Sequence, residues 1–272
     1  NNSKKGSWQI KVIKNKFPAV KSGVCGPVRK VGPFNVQEAV GEHDLFVFRD
    51  HDKIIADFTH EEALNMVRAY KKRFREIVDL DCSKYIMLFH NHGHEAGGSI
   101  YHPHSQIMSL PTTPPLVTKS LDGSYKFYQE HNKRVFDTII DWEKKQGKRI
   151  ICENEFFIAF CPFVSAFPYE IRIFPKNTGA HFDQMPEEAE GSFAEILVKI
   201  LKMLKVALDN PSFNFFIHTS PLESTNPHEF YTWHVEILPK FSILAGFELA
   251  TGVGINVVDP DKAAELLRKT DA

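Results

Sequence analysis

One segment combines residue types and spacing suited to covalent chemistry, His102-Pro103-His104-Ser105-Gln106. On a strand, side chains alternate between faces, so His102, His104 and Gln106 are expected to project together while Ser105 and Ile107 point away. Two imidazoles and an amide then share a surface. Just upstream, Gly93, Gly97 and Gly98 lack Cβ atoms, so this loop can expose backbone N–H groups to an anion such as phosphate. Asn91 and Ser99 add small polar donors, although such residues also cap turns. A lone His-x-His pair more often marks satisfied or metal-bound histidines. The glycine loop and Gln106 shift the reading towards attack of an imidazole on a phosphoryl group, with nearby donors stabilising its oxygens. Histidine suits that role because its ordinary pKa of about 6.5 leaves much of it neutral near pH 7.

Elements must hold these residues in place. Residues 44–49 and 85–90 read as strands, and between them Thr59-His60-Glu61-Glu62 has the form of a capping box. Leu64, Val67, Tyr70, Phe74, Ile77 and Val78 then recur at helical spacing, which predicts an amphipathic helix on a sheet. An alternating segment runs from Ile100 to Met108. The order returns later: a strand at 169–174, a helix beginning near Pro186, a strand at 213–218, and Thr232-Trp233-His234-Val235-Glu236. A weak internal duplication accounts for this, with halves at 1–120 and 121–272 joined through the polar stretch 118–150. Without a sustained βαβ rhythm, the expected class is α+β, with antiparallel sheets packed against helices. Asp259-Pro260 supplies an N-cap and first-turn proline for a final helix.

Composition narrows the function classes. The 272 residues carry 33 Lys and Arg against 34 Asp and Glu, which argues against a nucleic-acid-coating surface. No apolar run reaches the roughly 20 residues of a membrane helix. Cys25, Cys82, Cys152 and Cys161 form no Cys-x-x-Cys pair, so neither a disulfide framework nor a zinc knuckle is expected, and a reducing cytoplasm is the default. Asn1 to Lys5 is not an initiator sequence, so the chain is expected to have been cut or to be incomplete.

The run Asn91-His-Gly-His-Glu-Ala-Gly-Gly-Ser99-Ile-Tyr-His102-Pro-His104-Ser-Gln106-Ile resembles the active-site segment of galactose-1-phosphate uridylyltransferases, a branch of the histidine-triad superfamily with two histidine-triad-like halves. The likeness extends through Asn15-Lys16-Phe17-Pro18, the segment from Phe160 to Glu170, and Gly246-Phe247-Glu248. Relatives with ADP-glucose phosphorylase activity are similar over the same stretches. The resemblance implies a nucleotidyltransferase in which His104 takes the nucleotidyl group from a nucleotide sugar and releases a sugar 1-phosphate. UDP-glucose with galactose 1-phosphate is the leading pair. The alternative is phosphorolysis of ADP-glucose or a dinucleoside polyphosphate, and a non-catalytic nucleotide-binding protein is a third class.

The resemblance also implies roles residue by residue. Gln106 matches the amide that hydrogen-bonds the transferred phosphoryl, and Asn91 and Ser99 match contacts to the substrate phosphates. Asn15 matches a nucleoside contact, but Lys16 replaces an acidic residue seen in some uridylyltransferases. Glu248 matches the carboxylate that holds sugar hydroxyls in the other subunit, so a homodimer is expected. His51 and His102 match zinc ligands whose completing cysteine pair lies, in the family, just upstream of residue 1, together with phosphate-clasping arginines. Cys25 does not match that pair. His218 and His234 match ligands of a second metal, but Glu236 stands where a histidine is usual and no matching upstream glutamate is evident. A metal there is not expected.

Overall fold

The protein is described from a computed structural model that covers residues 8–176, 179–222 and 228–270. Asn1 to Lys5 lies outside the described residues. The chain opens with β1 (Ile10–Lys14), a small hairpin of β2 (Arg29–Val31) and β3 (Phe34–Val36), and β4 (His43–Phe48). Helix α1 (His60–Val78) leads to β5 (Tyr85–His92) and β6 (His104–Leu110). Two helices follow, α2 (Pro115–His131) and α3 (Val135–Gln146), then β7 (Ile150–Glu153), β8 (Phe157–Phe160) and β9 (Ile171–Pro175). Helix α4 (Glu187–Ala207) precedes β10 (Phe213–His218) and β11 (His234–Pro239), and the chain closes with α5 (Gly246–Thr251) and α6 (Pro260–Arg268).

Among the described residues, nine strands form one sheet in the order β1-β4-β6-β5-β10-β11-β9-β8-β7. Every neighbouring pair in it is antiparallel, as the missing βαβ rhythm implies. The order strand, helix, strand, strand occurs as β4, α1, β5, β6 and again as β9, α4, β10, β11. Position 120 lies within α2.

Local chemistry starts α1. The Thr59 hydroxyl accepts from the Glu62 N–H at 3.3 Å, and the Glu62 carboxylate accepts from the Thr59 N–H at 2.7 Å, which closes the capping box. One face of α1 buries Met66, Val67, Tyr70, Phe74 and Ile77, and α4 buries Phe193, Leu197, Ile200 and Leu204. These stripes pack on the sheet face that carries Phe46, Leu88, Ile107, Phe215 and Val235. Hydrophobic burial of this kind stabilises by about 1.5–3 kcal/mol for each large side chain.

Three expectations need correction. The stretch 118–150 is more than a polar junction: α2 and α3 bury Val117, Leu121, Phe136 and Ile140 against Ile158, Phe160 and Phe174 on the opposite face of the sheet. His102 is not on the strand with His104, because β6 begins at His104 after Pro103. Cys25 and Cys82 are joined by a disulfide, which ties the loop before β2 to the turn after α1. No described helix is long and apolar enough to cross a membrane.

Candidate active site

Strand β6 sorts its side chains by alternation. Ser105 and Ile107 are fully buried towards the helices, while His104 and Gln106 lie on the other face. The His104 Nδ1–H donates to the His102 carbonyl at 2.9 Å, so Nε2 carries the lone pair. His104 stands in the wall of a cavity of about 440 Å³ that Asn91, Ser99, His51 and His102 also line. The glycine loop closes its rim. Gly93 and Gly97 have φ of 82° and 79°, and a Cβ on Gly98 would sit 2.7 Å from the Gly93 carbonyl.

Two amides are tied at their carbonyl ends: Asn91, in the cavity wall, and Gln106, two residues beyond His104 on the same face of β6 and not among the residues lining the cavity. His43, on β4, approaches Gln106 Oε1 to 2.9 Å through Nε2. Asn214, on β10, donates from Nδ2 to Asn91 Oδ1 and to the Ala96 carbonyl, both at 2.8 Å. Asn15 reaches the same neighbourhood, with Nδ2 3.1 Å from His43 Nε2 and Oδ1 accepting from the Phe17 N–H. Glu248 lies on α5, where its carboxylate accepts from the Ala245 N–H at 3.1 Å, and it is not among the residues lining the cavity.

A buried relay supports the strand from behind. The Tyr70 hydroxyl meets Ser105 Oγ at 2.5 Å, and Ser105 Oγ meets His90 Nδ1 at 3.0 Å. Burial pushes the His90 imidazole down to about 3, helped by His92 and His104 nearby, so His90 is neutral at ordinary pH. Burial pushes the Tyr70 phenol up.

Two histidine clusters bear on metals. The Nδ1 atoms of His51 and His102 face each other, and the His102 Nε2–H donates to the Phe48 carbonyl at 2.5 Å. That outer hydrogen bond leaves the His102 Nδ1 lone pair directed at His51, as in an imidazole prepared to ligate. Two nitrogens are half of a tetrahedral zinc set. Cys25 cannot add a thiolate, because its sulfur is in the disulfide.

In the second half, ligand atoms of His218, His234 and Glu236 lie within 4.8 Å of one another, close enough to hold a metal ion. The Arg172 guanidinium also reaches this group, 3.1 Å from Glu236 and 2.9 Å from Glu170. Burial alone would raise the Glu236 carboxyl, but hydrogen bonds from His218 and His234 and the Arg172 charge hold it well below the usual carboxylate range. Burial pushes His234 down to about 4 against the pull of Glu236.

Sequence reasoning missed His43, Asn214, the relay and Arg172. The signal for His43 was the strand itself, which begins at His43, one residue before the 44–49 run. Counting back by twos from Val47 then puts His43 on the face of His104 and Gln106. Asn214 carries no such mark, because its role comes from the pairing of β10 with β5.

The fold has known relatives. Residues 41–270 fit the family described as a domain of unknown function, DUF4921. ADP-glucose phosphorylase of Arabidopsis thaliana is 33% identical, over 97% of this chain and 75% of that protein. Galactose-1-phosphate uridylyltransferase of Thermotoga maritima is 28% identical, over 97% and 85%. The crystal structure of an Arabidopsis thaliana ADP-glucose phosphorylase with bound ADP-glucose superposes with a TM-score of 0.85 at 32% identity, covering 97% of this chain and 82% of that one. The fold and its relatives define an enzyme of the nucleotidyl-transferring class. The chain belongs to the DUF4921 family and is a relative of ADP-glucose phosphorylase and galactose-1-phosphate uridylyltransferase.

Proposed function

We propose that the protein transfers a nucleotidyl group by double displacement through His104. The observation that carries this is the bond from His104 Nδ1–H to the His102 carbonyl, which leaves Nε2 as the basic, nucleophilic nitrogen. In the first step Nε2 attacks the phosphorus next to the nucleoside, an N–P bond forms, and the P–O bond to the sugar phosphate breaks with its electron pair going to the leaving oxygen. In the second step a phosphate oxygen of the acceptor attacks the same phosphorus and the N–P bond breaks. The amides of Gln106 and Asn91 donate to the non-bridging oxygens, with Ser99 on the flanking phosphate. Negative charge is thus met by fixed dipoles.

UDP-glucose with galactose 1-phosphate is the leading substrate pair, supported by the uridylyltransferase relatives. Adenylyl transfer from ADP-glucose to phosphate is the second reading, favoured by the 33% identity to ADP-glucose phosphorylase. The two are separated by mixing the protein with each donor, quenching in alkali and weighing the intact chain. A uridylyl or an adenylyl adduct names the donor. His104→Ala is expected to abolish the adduct and lower turnover by at least about 10³-fold while remaining folded; turnover at the parental rate would overturn the mechanism.

Zinc at His51 and His102 is part of this reading, supported by the converging Nδ1 atoms. Bound there, the ion would fix the loop that precedes His104. A homodimer with Glu248 acting at the neighbouring subunit is supported by the exposed apolar side chains around it, Ile243, Leu249 and Val257. Light scattering should return twice the chain mass, and Glu248→Gln should weaken sugar binding rather than adduct formation. A cytoplasmic location is the reading from the sequence. The Cys25–Cys82 disulfide stands against a strongly reducing compartment, and a thiol count after rapid alkylation in cells decides between them.

A further inference from the structure

Whether Gln106 offers a donor or an acceptor to a phosphoryl group depends on which way its amide is turned, and the surrounding backbone dictates the answer. The Ala19 N–H, which can only donate, lies 3.1 Å from His43 Nδ1. Nδ1 must therefore accept, and the neutral ring carries its proton on Nε2. That Nε2–H lies 2.9 Å from Gln106, so the atom facing it is the carbonyl oxygen and the NH₂ group is the end left untied. Asn15 Nδ2 is 3.1 Å from the same nitrogen, but Asn15 Oδ1 is committed to the Phe17 N–H. Its NH₂ therefore also offers a donor to Nε2, and the Ala19 N–H decides the tautomer because it is fixed in the backbone, whereas the Asn15 side chain can turn. The ring is held tightly enough to act as a template, since His43 is 7% exposed on β4, which is paired on both sides, with β1 and β6.

Asn91 obeys the same logic. The Ala96 carbonyl can only accept, so the Asn214 atom 2.8 Å away is NH₂, and the Asn91 atom facing that NH₂ is the carbonyl oxygen. Both amides are thus tied back by their oxygens. An amide turned the other way would aim a carbonyl dipole at phosphoryl oxygens and repel them.

We propose that His43 is a positioning residue that fixes the polarity of the Gln106 amide, so that Gln106 meets the transferred phosphoryl as a donor. This rests on the transfer reading above. It makes the Nε2 position of residue 43, rather than its size or charge, the property that matters. Gln places its side-chain nitrogen near where histidine has Nε2, whereas Asn reaches only as far as Nδ1.

The test measures single-turnover formation of the nucleotidyl adduct, with UDP-glucose and ADP-glucose as separate donors, in the full chain. His43→Asn is expected to slow the step on the order of 100-fold, the usual consequence of losing one such donor. His43→Gln should recover most of that rate. In a Gln106→Ala background, His43→Asn should have no further effect, because it acts only through Gln106. Equal losses in the Asn and Gln variants, or the full loss repeated in the Gln106→Ala background, would overturn the proposal and leave His43 as a packing residue. A second readout does not depend on turnover: the imidazole nitrogen shifts of His43 in the free protein. An Nε2–H tautomer supports the assignment and an Nδ1–H tautomer refutes it. If the unmutated protein forms no adduct with either donor, the transfer reading falls, and the tautomer still decides how the amide is held.

Discussion

Buried imidazoles make the stability of this protein depend on pH in a defined direction. His90 and His234 are held neutral, pushed down to about 3 and about 4, whereas in the unfolded chain they return to the ordinary value near 6.5. Between those limits the unfolded state binds more protons, so stability is fully present above about pH 6.5 and falls as pH is lowered towards 4. Denaturation midpoints measured from pH 7.5 to 4.5 should decline, and His90→Gln should flatten the decline. At this scale the sequence was legible where chemistry is local. His104, Gln106, Asn91 and Ser99 stood out by type and spacing, and the structure sets His104 beside Asn91 and Ser99 in one cavity wall. His43 was readable only as a residue on the face of His104 and Gln106, and Asn214 not at all, because the contacts that single them out are to neighbouring strands, 63 and 123 residues away.

Among the elements, the glycine loop between β5 and β6 leaves little room for change. A Cβ on Gly98 would press on the carbonyls of Gly93 and Asn91 at 2.7 and 3.2 Å, so the loop must shift to admit it. Gly98→Ala is expected to lower nucleotidyl transfer on the order of 10²-fold, as displacements of about 1 Å do, with a smaller effect on thermal stability. An unchanged rate would mean that the loop does not shape the site. The helices α1 and α4 and strands β4, β5, β10 and β11 were readable because wide apolar stripes or β-rich runs mark them. Helices α2 and α3 were not: α2 buries only Val117, Leu121 and Ser124, too narrow a stripe to stand out from a polar connector. The apolar alternation of β1 was equally obscure, since Val12 and Ile13 are both exposed.

At the scale of the molecule, the disulfide and the sheet seam matter most. Removing the Cys25–Cys82 link by Cys25→Ser should cost about 2–4 kcal/mol in denaturant unfolding, by freeing a loop that spans 57 residues in sequence. The segment before β2 that ends in Cys25 also carries Ala19, whose N–H contacts the His43 ring, so a loss of transfer should accompany the loss of stability. We propose that 1–120 and 121–272 are two units of one duplicated design, supported by the repeated order of strand, helix, strand, strand. They share a single sheet through the pairing of β5 with β10, in which His92 meets Phe213. That seam has a consequence for the chain as it is made. Strand β5, with Asn91 on it, pairs at once with β6 on one edge, but it emerges from the ribosome about 120 residues before β10, which pairs with its other edge. At about 5–20 residues per second the wait is on the order of ten seconds. Throughout it, the nascent chain holds an open β edge at Asn91, and slower translation or a depleted chaperone pool should cost this protein more yield than a chain whose sheet closes locally.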